Sequence, residues 1–246
     1  MQIAAAHVGH RISRGWKAFL KTKLLLFDID GTLLTSGGAG ERALRLALRE
    51  RFGRDDSLAD IEIAGRTDSG ITRRIFEKHG IEPTPENTGK FLDGYVQHLK
   101  IELHLSKGRL LPGIIALLDA LKKRPHLALA LLTGNLERGA EIKLTHYRVW
   151  DYFEFGAFAD DHHDRNELGK FAKSRALKKH GVEFSPENIF VIGDTPHDID
   201  CGRAIGAKTV AIATGNFSRE QLAAHQPDYL FDDLADTEKV IARLDW

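Results

Sequence analysis

The chain has 246 residues, enough for one large domain or for a core domain carrying a smaller insert. Hydrophobic residues make up 42% and charged residues 28%, which excludes a disordered chain. Basic and acidic residues balance at 35 each, so no global field favours nucleic acid or an anionic membrane.

Cys201 is the only cysteine, which excludes an intrachain disulfide and fits a reducing, cytoplasmic setting. No apolar run approaches the ~18 residues that a membrane span requires. Residues 1–22 also lack the continuous apolar stretch of a secretory signal. Arg11, Arg14, Lys17, Lys21 and Lys23 are the only charges before Asp28, so residues 1–22 read as a basic N-terminal extension.

Leu24-Leu25-Leu26-Phe27 is the first short apolar run, and it ends in Asp28. From about Gly40 to Leu105 no strand pattern follows, only helical ones. Glu41 to Phe52 and Asp68 to His79 are two of them, and Phe91, Tyr95, Leu99 and Leu103 recur every four residues like one helix face. Gly37-Gly38-Ala39-Gly40 enters this block and Ser106-Lys107-Gly108 leaves it, which reads as a helical cap between two hinges.

Pro112 to Lys123 then places Leu117, Leu118 and Leu121 on one helix face. Leu127 to Leu132 runs into Thr133, and Ile189 to Gly193 runs into Asp194; 209–213 and 229–231 are further short apolar runs. Between them, Glu137 to Tyr147 and Glu167 to His180 are helix patterns. Short runs apolar on both faces are buried strands of a mostly parallel sheet. Alternating with helices, they predict a doubly wound, Rossmann-like α/β core of residues 23–36 and 107–246, with an all-helical cap at 37–106. Ligands of such sheets lie outside the carboxyl ends of the strands, where Asp28, Thr133 and Asp194 are predicted to sit.

Those three positions carry chemistry. Asp28-Ile29-Asp30-Gly31-Thr32 offers two carboxylates, one to attack phosphorus and one to donate a proton and later activate water. Gly31 permits a tight turn whose neighbouring N–H groups can face an anion. The same residues would also suit a solvated turn. Thr133-Gly134-Asn135 supplies a hydroxyl and free backbone N–H groups at a strand–helix junction, suited to a phosphoryl group or to a simple N-cap. Asp194 and Asp198 are spaced i, i+4 at a helix start, where few carboxylates plus water and phosphate oxygens can hold Mg²⁺, or where the helix dipole alone favours acidic residues.

The ordered set Asp28-x-Asp30-Gly-Thr, Thr133 and Gly193-Asp194-x-x-x-Asp198 resembles the haloacid dehalogenase-like hydrolase superfamily. The resemblance spans Leu24 to Leu234. Gly65-Arg66-Thr67-Asp68 and Leu111-Pro112-Gly113 are similar to its phosphoglycolate phosphatase and β-phosphoglucomutase branch. It implies an aspartyl-phosphate on Asp28, Asp30 as acid/base, and Mg²⁺ held by Asp28, the Asp30 carbonyl and Asp194, with Asp198 nearby as a further ligand or as the holder of a water or a cation. Gly31, Thr32, Gly134 and Asn135 would bind substrate, and Arg66 sits where this branch presents a substrate-contacting loop.

The superfamily also uses a cation beside the nucleophile, usually a lysine before proline, and this chain has no Lys-Pro. The matching segment holds Arg165 and Lys170. Arg165 could bind phosphate bidentately and Lys170 as a point charge. Asp160-Asp161-His162-His163-Asp164 reads as a polar loop at a strand end, because adjacent residues rarely converge on one ion. The expected activity is hydrolysis of a small phosphate monoester, 2-phosphoglycolate being the named candidate, with no nucleic-acid or membrane partner. A sugar-phosphate mutase or a non-enzymatic binding protein on the same fold is the alternative. A dehalogenase would need neither Asp30 nor Asp194.

Overall fold

The computed structural model describes residues 21–246. The reading of 1–22 as a basic extension falls, apart from its last two residues, outside them.

The core is a six-stranded parallel sheet in the order β5-β4-β1-β6-β7-β8. Its strands are β1 (Lys23–Phe27), β4 (Leu127–Leu132), β5 (Gly156–Ala157), β6 (Ile189–Gly193), β7 (Lys208–Ile212) and β8 (Tyr229–Phe231). Three of the strands, β1, β4 and β6, carry long aliphatic side chains on both faces, and the strand period of two sorts those side chains into two layers. Leu25, Phe27, Leu129, Leu131 and Ile192 face helices α4 (Ile114–Lys122), α5 (Glu137–His146) and α9 (Thr237–Leu244). Leu24, Leu26, Ala130 and Val191 face α6 (Arg165–His180) and α7 (Pro196–Ala204). Both layers are built of buried apolar side chains, which fix the sheet as the platform of the site.

The sheet order reverses around β1: the chain leaves it for β4 on one side and returns to β6 on the other. Asp28 follows β1, Thr133 follows β4 and Asp194 follows β6, so the three motif residues emerge side by side from adjacent strands. A crevice at such a reversal is where α/β sheets bind ligands.

The helical subdomain lies between two short strands missed in the sequence, β2 (Leu34–Thr35) and β3 (Arg109–Leu110), which pair antiparallel. At two residues each they are too short to leave a periodic trace. Beyond them Gly37 passes so close to the other connection that a Cβ there would lie 2.8 Å from the Gly108 backbone nitrogen.

The subdomain itself contains α1 (Ala39–Phe52), α2 (Asp68–His79) and α3 (Pro85–Leu105). Phe91, Tyr95, Leu99 and Leu103 are all buried on one face of α3, against Ala43, Leu44, Ala47 and Leu48 of α1. Thr67 and Thr84 cap α2 and α3 with side-chain oxygens that accept from Gly70 and Asn87 backbone N–H groups. Among the described residues, no helix is long and apolar enough to cross a membrane.

Candidate active site

The chain turns sharply after Asp28. Gly31 takes φ of +83°, and a Cβ there would collide with the Asp194 carboxylate, so only glycine lets the β1 and β6 loops meet. The Thr32 hydroxyl donates to Asp194 Oδ1 at 3.0 Å, fixing the carboxylate that Gly31 admits.

Asp28, Asp194 and Asp198 are all buried and can bring one oxygen each within 4.8 Å of one another. Into this cluster reaches one cation. Arg165, 7% exposed at the first turn of α6, places Nη2 2.9 Å from Asp28 Oδ1 and also pairs with Asp198 Oδ1. Both oxygens of Asp198 are already engaged, since its Oδ2 accepts from the Thr195 N–H and hydroxyl. Asp198 thus anchors Arg165 and caps α7 at the same time.

Burial pushes the Asp28 carboxyl up to about 6, even though the Arg165 guanidinium pulls the other way. Burial, with Asp198 and Asp28 as like-charged neighbours, pushes Asp194 well above the usual carboxylate range. Three buried carboxylates against one arginine leave a net negative, all-oxygen donor set. That set fits a hard divalent cation.

Asp30 faces a different partner. Its Oδ2 accepts from Lys143 Nζ at 2.6 Å and from Asn135 Nδ2 at 3.0 Å. Asn135 Oδ1 in turn accepts from Lys143 at 2.6 Å, and Asn135 Nδ2 also donates to Thr133 Oγ1 at 2.8 Å. Thr133 and Asn135, at the end of β4, are therefore joined to Asp30, at the end of β1, through side chains.

Gly134 lies under the cap. A Cβ there would strike the Arg66 carbonyl, and its own carbonyl accepts from the Asp68 N–H at 2.7 Å. Asp68 Oδ2 also accepts from the Leu136 N–H at 2.8 Å, so the start of α2 is clasped to the loop after β4. Arg66 lines the cavity but is spent largely on Glu62, which also pairs with His197 of the core. Cap and core together enclose a cavity of about 430 Å³ containing Asp28, Asp30, Arg165, Asp194, Tyr95 and Lys143 on its walls.

Of the residues expected at the site, the structure brings together Asp28, Asp30, Gly31, Thr32, Arg66, Thr133, Gly134, Asn135, Arg165, Asp194 and Asp198. It leaves out Lys170, whose side chain is 62% exposed and bound to Glu167. The reason is helical geometry: five residues on from Arg165 is about 140° around the axis, which turns Lys170 away from the sheet. Arg165 is the cation beside Asp28.

The acidic and histidine-rich loop is engaged piecemeal. Asp160 accepts from the Glu137 N–H, Asp161 pairs with Arg175, and Asp164 caps α6. Cys201 is buried against the Arg165 carbonyl, and burial pushes its thiol up to about 12.

Lys143 was not anticipated. Its signal lay in α5, where a lysine occupies the same stripe as Ala140 and Leu144, both of which are buried. Tyr95 is legible in the sequence only as a helix-face residue, and Asp68 only as a helix start and the end of the Gly65-Arg66-Thr67-Asp68 run. Their polar groups meet inside the molecule, which no local pattern announces.

Comparison with known proteins agrees with this geometry. Residues 168–237 match the family described as HAD-hydrolase-like. The chain is 26% identical over 233 residues to a phosphoglycolate phosphatase of Mannheimia succiniciproducens, covering 89% of this chain and 98% of that protein. A match to pyrophosphatase PpaX of Bacillus mycoides is 27% identical over 125 residues, covering 50% of this chain and 56% of that one. Among solved structures, CbbY from Rhodobacter sphaeroides in complex with phosphate superposes with a TM-score of 0.71 at 21% identity, covering 92% of this chain and all of that one, a likeness of fold. In its aspartate-based site, its parallel-sheet core and its helical insert, the chain is similar to the haloacid dehalogenase-like hydrolases, and among them to the phosphoglycolate phosphatase and β-phosphoglucomutase-like branch.

Proposed function

We propose that the protein is a magnesium-dependent phosphatase of small phosphate monoesters. The observation that carries this reading is the buried cluster in which Arg165 stands 2.9 Å from Asp28, with Asp194 and Asp198 beside it, at the wall of the cavity that Asp30 shares.

In this reading Asp28 attacks phosphorus, and the bond between phosphorus and the ester oxygen breaks. Asp30 gives its proton to the departing oxygen, leaving a phosphoryl group on Asp28. Asp30 then takes a proton from water as that water attacks the same phosphorus, which frees phosphate and restores Asp28.

Arg165 binds the phosphoryl oxygens and is held in place by Asp198. Burial works against its charge, but Asp198 and Asp28 outweigh it and hold its pKa above the ordinary value, so it stays cationic throughout. Its Nε, buried and without an acceptor among the described residues, is a donor still unspent. Gly31, Thr32, Gly134 and Asn135 shape the phosphoryl pocket. Asp28, Asp194 and the Asp30 carbonyl would hold Mg²⁺, with Asp198 at their edge, and the ion would offset the repulsion between the carboxylate and a phosphate dianion.

The helical insert, residues 37–106 against a core of 23–36 and 107–246, covers the site. Its enclosure supports a small substrate over a phosphoprotein or nucleic acid. The names of the phosphoglycolate phosphatase relatives make 2-phosphoglycolate the first ester to try.

The test is phosphate release from a panel of small esters with Mg²⁺, with EDTA, and with Asp28→Asn. Release abolished by both chelation and substitution is expected. A folded, magnesium-loaded protein that releases phosphate from no ester would sink the reading and bring a mutase assay forward.

A further inference from the structure

Lys143 has no part in the phosphoryl chemistry above, yet it is the most deeply placed lysine near the site. Its side chain is 4% exposed, on a helix of the core, against the cap. Burying an ammonium is costly unless the charge is paired, and Asp30 pairs it. Holding Asp30 alone explains only part of the arrangement. An ammonium carries three N–H donors. Two go to Asp30 Oδ2 and Asn135 Oδ1, both at 2.6 Å, and among the described residues no third acceptor is in place although Lys143 lines the cavity.

The position of that third donor relative to the reaction is informative. Asp30 is the group that protonates the departing oxygen, so the carbon bearing that oxygen comes to rest beside Asp30. An oxygen on the next carbon would then come within reach of the ammonium that Asp30 already binds. The surroundings of the ammonium are polar too: the Tyr95 hydroxyl lies beside the Asp68 carboxylate, and both line the cavity near Lys143.

We infer that Lys143 is a specificity-determining residue that donates its third N–H to an oxygen on the carbon adjacent to the ester carbon of the leaving group. This rests on the phosphatase reading and adds the class of ester to it: phosphate esters of 2-oxygenated alcohols rather than of plain alkyl alcohols. A hydroxyl can accept from Lys143 and donate to an acid, whereas a carboxylate can only accept. With Asp30 and Asp68 both acidic, the hydroxyl is the better fit.

Three esters of similar size test it: 2-hydroxyethyl phosphate, 2-phosphoglycolate and ethyl phosphate. They supply a hydroxyl, a carboxylate and neither at the adjacent carbon. The wild type with Mg²⁺ is expected to favour the hydroxy ester over ethyl phosphate in kcat/KM by about tenfold or more, the weight of a hydrogen bond to a charged group. Preference for 2-phosphoglycolate over ethyl phosphate also supports the assignment and names the carboxylate as the oxygen read.

In Lys143→Met the preference should collapse to about one, beyond any common loss from a looser Asp30. A purely structural lysine would slow all three esters alike and leave the ratios intact. Should that variant not fold, Lys143→Gln, which keeps a neutral donor for Asp30, is measured in its place.

Equal rates on the three esters in the wild type, or a preference that survives in the folded variant, would overturn the assignment of Lys143 alone. Failure of the wild type to release phosphate from any of them would overturn the phosphatase reading and this inference with it.

Discussion

Arg165 Nη2 lies 2.9 Å from Asp28 Oδ1 at the buried end of the cavity, and the same guanidinium is gripped by Asp198. A charge so buried and so fixed by two carboxylates is aimed at whatever Asp28 attacks. Arg165→Met is therefore expected to lower kcat by about 10²–10³-fold, as loss of an oriented charge at a developing transition state does. Arg165→Lys should recover part of that, since it keeps the charge and loses the fork. Lys170→Ala should leave kcat within about twofold, because exposed pairs contribute little. Steady-state rates of the three variants decide it, and a Lys170 defect as large as the Arg165 one would reverse the assignment.

Asp30→Ala should depend on the leaving group. An alkyl oxide must be protonated as it departs, whereas a nitrophenolate need not be. The first step with alkyl esters should slow by about 10²–10⁴-fold and with p-nitrophenyl phosphate far less. Single-turnover rates on the two esters measure the difference. Equal losses would mean that Asp30 is not the acid.

Metal binding should be visible without catalysis. The cluster of Asp28, Asp194 and Asp198 concentrates negative charge in a buried site. Adding Mg²⁺ to metal-free protein should raise Tm, by the equivalent of about 2.7 kcal/mol at a hundredfold excess over Kd. Asp194→Asn should abolish that rise. An unchanged rise in the variant would place the ion elsewhere.

Asp68 predicts a pH effect on stability. Burial lifts its carboxyl to about 6, against a hydrogen bond from Leu136 and the nearby Lys143 charge that favour ionisation. The folded state thus binds this proton more tightly than the unfolded chain does. The resulting stabilisation is whole below about pH 4 and is lost as pH rises through 6. Asp68→Asn keeps an acceptor for Leu136 without the ionisation. Its Tm should gain on the wild type between pH 4 and 7, by the equivalent of about 1–3 kcal/mol. Parallel Tm curves would contradict this.

The fold was legible because its central strands are buried on both faces and its edge strand Tyr229–Phe231 is still an apolar run. Leu127–Leu132, Ile189–Gly193 and Tyr229–Phe231 lie where their apolar runs predict them, and Asp68–His79 matches its helix pattern. β2, β3 and β5 left no trace, since two residues make no period. The site was legible where a residue's role follows from its position at a strand end, as for Asp28, Thr133 and Asp194.

Arg165 and Lys170 could not be separated along the chain because both are cations near a helix start. Only the angle around α6 distinguishes them. Lys143 and Asp68 stayed hidden because each acquires its partner from another element: Asp30 from the β1 loop, Leu136 from the start of α5.

The central claim is that Asp28 carries the phosphoryl group. Its most direct test is to mix Asp30→Asn with Mg²⁺ and p-nitrophenyl phosphate, quench in acid, and locate phosphorylation by peptide mass. Without Asp30 to activate water, the phosphoryl group should accumulate on the peptide containing Asp28, and it should vanish with EDTA or with Asp28→Asn. Nitrophenol released with no phosphorylated peptide, or with the group on any other residue, would contradict the account.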